Sequence, residues 1–254
     1  MPRVDWTRDQ LLVACNLYFR LPFGRMHSRN PEIIETATLI GRTSSALAMK
    51  LCNLASLDPA EKARQVSGLK GASNQDRAVW NEFHVNWERL AFESEQAKLR
   101  FAANQSVQAP RIPEPPKGPT EAVRETRVRL VQGFFRQAVL TSYESRCAIC
   151  LISEERLLIA SHIMPWSVDE NRRADPSNGL ALCALHDRAF DLGLIGFSHS
   201  LTLLVSPRLK TVDAVAVHRA AFLDLEGRAL FRPIRCEPDL DAIAFHRETV
   251  FGRM

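Results

Sequence analysis

CAICLISEERLLIASHIMPWSVDENRRADPSNGLALCALHDRAFD, residues 147–191, gathers three cysteines, two histidines and two asparagines into 45 residues. How this stretch is read decides how the C-terminal half of the chain folds. Cys147-x-x-Cys150 and Cys183-x-x-His186 are two ligand pairs with 32 residues between them. A C-x2-C turn puts both sulfurs on one side of a tight knuckle, and a second pair completes a tetrahedron around Zn²⁺. In the alternative, Cys147 and Cys150 are free thiols, and Cys183 and His186 only open a helix. The doubled spacing favours a structural zinc on Cys147, Cys150, Cys183 and His186.

Between the pairs, the apolar run LLIA leads into SHIMPW, and Asn178 follows His162 by sixteen residues. This order of His, then Asn, then metal-binding groups on a helix resembles the HNH endonucleases of the ββα-metal fold, in their restriction-type branch. The resemblance runs over roughly residues 125–200. It is carried by FFRQAVLTSYESRCAIC, ASHIMPW and NGLALCALHDRAFDLGLI, and FHRETVF near the end is similar to the tail of such domains. It implies a DNA endonuclease of restriction or defence. His162 is then the base that deprotonates water, as a neutral imidazole suits, and Asn178 orients it. Asp187 and Asp191, at i and i+4 on one helix face, are then ligands for Mg²⁺ or Mn²⁺. The residue before the base often helps hold that metal in the family; here it is Ser161, a poor ligand. His186 falls on the zinc position by counting from Asn178, and takes a catalytic role if the cysteines hold no zinc. Arg172, Arg173 and Arg188 flank the site as candidate phosphate contacts. A DNA-binding regulator on a non-catalytic zinc scaffold is the rival reading, and Ser161 favours it.

Upstream, residues 104–122 hold Pro110, Pro113, Pro115, Pro116 and Pro119. Proline continues neither a helix nor a ladder. The expected organisation is a helical domain at 1–103, a Pro-rich linker at 104–120 and the nuclease domain at 121–254, an α+β chain overall. In the first part, Thr7 and Gln10 are spaced as a capping box, and Leu11, Leu12, Cys15 and Leu17 supply an apolar face. Asn30 caps a helix that starts at Pro31. GRTSSALAMKL then gives a turn and a third helix. Residues 6–54 loosely resemble a Myb-like or homeodomain-like unit, which places Arg42 and Lys50 at DNA. A helical docking domain fits the same pattern. RAVWNEFHVNWERL reads as one later helix with Trp80, Phe83 and Trp87 on its core face.

In the C-terminal part, LIGFSHSLTLLVSP alternates as short strands, LFRPI reads as a last strand, and DLDAIAFHRETVF as a closing helix. The net charge is +4 over 254 residues, which permits attraction to nucleic acid without dictating it. Nearly all basic residues of 121–254 are Arg, suited to forked phosphate contacts. No apolar run approaches a bilayer span, and the start MPRVDWTRDQ has no signal-peptide core. The expected setting is cytoplasmic, with DNA as partner, no membrane and no small-molecule cofactor. A double-strand cutter often needs two active sites, so a homodimer is one expected assembly.

Overall fold

The computed structural model describes residues 5–65, 71–105, 121–211 and 215–253. The chain divides into two compact units, 1–134 and 135–254. The expected linker lies outside the described residues from 106 to 120.

The first unit is helical: α1 (Arg8–Arg20), α2 (Pro31–Leu39), α3 (Ser44–Ala55), α4 (Pro59–Ala63), α5 (Asn74–Val85) and α6 (Trp87–Gln105), with the start of α7 (Glu121–Ser142). The expected caps form. Thr7 and Gln10 close a reciprocal box at α1, Asn30 caps α2 ahead of Pro31, and Thr43 caps α3. Gly41 takes φ +67°, so the Arg42 amide reaches back to the Ala37 carbonyl at 2.8 Å and ends α2. Helix α1 is buried at every position from Gln10 to Phe19. It is therefore the central helix of the unit, enclosed on all sides where the sequence pattern suggested a single apolar face.

Two expectations differ here. The stretch around Trp80 is two helices. Asn86 ends α5 and its side chain accepts from the Arg89 amide at 2.8 Å, capping α6. Trp80, Phe83 and Trp87 are nonetheless core residues around Phe19. Lys50, expected at DNA, is 7% exposed. Its ammonium bonds both oxygens of buried Asp76, at 2.7 and 2.9 Å, so its charge is matched inside the unit.

The second unit continues α7 and adds β1 (Leu158–His162), β2 (Gly179–Cys183), α8 (Ala184–Asp191), β3 (Ile195–Phe197), β4 (Leu203–Val205), α9 (Pro207–Lys210), α10 (Ala216–Ala221) and α11 (Leu240–Thr249). β1 and β2 pair antiparallel, with His162 opposite Gly179 and Leu158 opposite Cys183. β3 and β4 form a second antiparallel pair. Between the hairpins the core gathers Val139, Tyr143, Leu180, Leu182, Phe190 and Phe197. LFRPI is not a strand. The Leu230, Phe231 and Ile234 amides go to three separate acceptors, Leu201, Ala148 and Ser142, and Pro233 has no amide to offer a ladder.

Gly179 decides how closely α7 approaches. A Cβ there would lie 2.9 Å from Phe135 Cζ and closer still to Val139. Cross-strand partners share a face, so His162 lies on this same face of the hairpin.

Candidate functional site

The first centre is the four-donor group. The ligand atoms of Cys147, Cys150, Cys183 and His186 all lie within 4.8 Å of one another, the one such group of three or more His, Cys, Asp or Glu among the described residues. Cys150 Sγ and Cys183 Sγ are 3.8 Å apart, and His186 Nδ1 lies 3.6 Å from Cys147 Sγ and 3.1 Å from Cys183 Sγ. A tetrahedral zinc with bonds of about 2.3 Å sets its sulfur ligands roughly 3.8 Å apart. The group therefore fits a zinc ion.

Local structure explains the fit. The Cys147 knuckle turns through Leu151 at φ +64°, and the Ala148 amide bonds the Ala181 carbonyl of β2 at 2.7 Å. Cys183 stands at the N-cap of α8 without a capping bond; its sulfur faces the cluster instead. His186 Nε2 donates to the Ala221 carbonyl at 2.9 Å, leaving Nδ1 for the metal. Burial opposes the imidazolium, but the thiols of Cys147 and Cys183 outweigh it and push His186 up to about 10. The Cys147 thiol is driven down by hydrogen bonds from Cys150 and Cys183.

The second centre is His162, the last residue of β1. Its ring lies parallel to Phe135, with centroids 3.9 Å apart, and edge-on to Trp166. Nε2 is 3.0 Å from the Arg173 carbonyl. A carbonyl only accepts, so Nε2 carries the proton and Nδ1 keeps a lone pair. Burial pushes the imidazole pKa down, so the ring is neutral over a wider range than a solvated histidine. Asn178 is buried as well. Its Nδ2 donates to the Met164 and Arg172 carbonyls, and its Oδ1 accepts from the Met164 amide. These bonds tie both ends of the loop between the strands.

Asp187 is half-buried and Asp191 exposed on α8. Neither carboxylate makes a hydrogen bond or ion pair among the described residues. Asp191 is pushed up by loss of water and then by the charge of Asp187. A pair of unpartnered carboxylates one turn apart suits a hard cation. Ser161 is buried and its Oγ has no hydrogen-bond partner among the described residues; by strand alternation it points away from the face that carries His162.

The arginines divide. Arg188 is exposed and makes no ion pair among the described residues. Arg172 is held by Asp239 and by Asp169 at 3.3 Å. Arg173 bonds the Trp166 carbonyl at 2.9 Å and Glu170 at 3.1 Å. In the first unit, Arg42 bonds Gln10 and the Asp5 carbonyl and covers the Trp6 ring. Sequence reasoning missed Trp166, Gly179 and the Ala221 carbonyl as parts of these centres. The Asn-Gly pair at 178–179 was the signal available for the second of them.

Residues 147–198 match a family model described as HNH endonuclease. A solved structure titled "Modification dependent TagI restriction endonuclease" aligns with a TM-score of 0.30 and 20% identity, over 46% of this chain and 37% of that one. The chain thus spans little more than a third of that protein's length. No curated protein matches the chain.

Proposed function

From the match of residues 147–198 to a family model described as HNH endonuclease, we propose that this chain is a metal-dependent DNA endonuclease that hydrolyses phosphodiester bonds. We place it in restriction or defence, acting in the cytoplasm. The observation that carries the reading is the state of His162: Nε2–H tied to a backbone carbonyl, Nδ1 without a hydrogen bond among the described residues, pKa lowered. That is the form a general base needs.

In this reading, Nδ1 of His162 takes the proton from the attacking water. Asn178 keeps the loop behind His162 from shifting. Asp187 and Asp191 hold Mg²⁺ or Mn²⁺, which stabilises charge on the phosphate and the leaving oxygen. Arg188 is the phosphate contact of choice, because it alone among the expected arginines has a side chain with no ion pair or hydrogen bond within the described residues. The cysteine group holds zinc and fixes the helix that carries both aspartates.

For the first unit we favour docking over groove binding. Lys50 is the one charged residue of α3, and it is turned inward; the outer face offers Ser45 and Met49. The rival scaffold reading keeps one supporting observation, the buried, unligated Ser161.

Supercoiled plasmid with Mg²⁺ or Mn²⁺ tests the proposal. Wild type should nick or linearise it. His162→Ala should lose on the order of 10²–10⁴ in rate, and Asp187→Ala should be rescued in part by excess Mn²⁺. Cleavage by His162→Ala at the wild-type rate would place the active site elsewhere.

A further inference from the structure

Residue 173 reaches the imidazole of His162 by two routes. Its carbonyl accepts the Nε2 proton at 3.0 Å. Its guanidinium lies over the Trp166 ring, 5.3 Å from the centroid, while Nε donates to the Trp166 carbonyl at 2.9 Å. Trp166 in turn stands edge-on to His162, with centroids 5.5 Å apart and planes at 83°. The three residues therefore form a closed circuit around one ring.

The circuit has a physical reason. His162 ends β1, and past Ile163, whose amide still bonds the Asn178 carbonyl at 2.9 Å, the ladder no longer constrains the chain. Phe135 packs one flat face of the imidazole. That contact alone leaves the ring able to slide along Phe135, to flip about its Cβ–Cγ bond and to exchange tautomers. A fixed acceptor at Nε2 and a wall at the ring's edge remove these freedoms. Arg173 supplies the acceptor and, through its side chain, clamps the wall. Its fork is already occupied by Trp166 and Glu170, which argues against a phosphate as its partner.

We propose that Arg173 is a positioning residue for His162, its side chain locking Trp166 so that the imidazole keeps its proton on Nε2 and presents Nδ1 to the reacting water. The proposal rests on the nuclease reading for its effect on rate, but not for its effect on the ring.

Arg173→Gln, Arg173→Lys and Trp166→Phe test it. Plasmid cleavage with Mn²⁺ should show kcat reduced by up to about 100-fold in Arg173→Gln, with KM and the salt dependence of DNA binding unchanged. Arg173→Lys should fail likewise, since an ammonium cannot lie as a fork along Trp166. The double variant Arg173→Gln/Trp166→Phe should be no worse than Arg173→Gln alone. A raised KM with a shallower salt slope, kcat unchanged and Arg173→Lys active would make Arg173 a phosphate contact and overturn the proposal. Imidazole ¹⁵N spectra give a readout that needs no activity. His162 should be a single Nε2-protonated tautomer in wild type and an exchanging mixture in Arg173→Gln. One unchanged tautomer in the variant also overturns the proposal. If Arg173→Gln fails to fold, the same spectra of Trp166→Phe decide. A wild-type protein that cuts no DNA sinks the nuclease reading, while the spectra still judge the hold on the ring.

Discussion

The imidazole of His162 lies flat on the ring of Phe135, with centroids 3.9 Å and planes 9° apart. An aromatic face against an imidazole excludes water from it. Desolvation disfavours the charged form, which is the direction of the His162 shift.

A base must be neutral to act. The acid limb of kcat/KM should therefore lie below the ordinary histidine pKa of 6.5. Phe135→Leu, which uncovers part of the ring, should move that limb upward. A limb at or above the ordinary value in wild type would contradict the buried, neutral base.

His246 makes stability depend on pH. It is buried, stacked on Phe190 at 3.6 Å, and donates from Nε2 to the Phe190 carbonyl. Burial pushes it down from 6.5 to about 4. Between those values the unfolded chain binds a proton that the folded chain refuses. This contribution is complete above pH 6.5 and is lost as pH falls towards 4, about 3 kcal/mol in all. Urea unfolding across that window should show the slope in wild type and a flatter curve in His246→Gln.

Zinc should be present at one ion per chain and should stabilise the fold. Chelation or Cys183→Ser should remove it and lower the melting temperature, because ligand binding energy is folding energy in such sites. The Ala221 carbonyl bonds His186, so amide exchange should rise around α10 on zinc removal. Protein free of zinc with unchanged melting would assign Cys147 and Cys150 as plain thiols and return His186 to the catalytic centre.

Gly179→Ala should destabilise the second unit. Its Cβ would meet Phe135 Cζ at 2.9 Å; crowding of that kind costs about 1–3 kcal/mol. It should also reduce cleavage, since Phe135 is the ring on which His162 rests. Thermal unfolding and plasmid cleavage measured together check both parts.

Caps and ligand pairs were legible in the chain because both are local. A side chain at Thr7, Asn30 or Thr43 reaches an amide two or three residues on. C-x2-C and C-x2-H fix each half of the four-donor group within one turn. Patterning likewise marked LLIA, which becomes β1, and the alternating run that becomes β3 and β4, whereas the helix with Asp187 and Asp191 was read from the family resemblance. Patterning failed where one residue carries two roles, as at Asn86 between α5 and α6, and where the chain bonds separate partners, as at 230–234.

What tertiary structure alone decided is which way each polar group is turned. Lys50 and Arg188 look alike in sequence as cations on helices, yet one is buried against Asp76 and the other is exposed. The difference lies in partners far along the chain: Asp76 for Lys50, Asp239 for Arg172. The same holds for the base. Sequence placed His162 just after an apolar run and sixteen residues ahead of Asn178, but its tautomer depends on the Arg173 carbonyl and its desolvation on packing such as that of Phe135, 27 residues upstream. Covalent spacing determines which groups can meet within a turn. The charge and orientation of a side chain depend on desolvation and on distant acceptors, and only the packed fold supplies those.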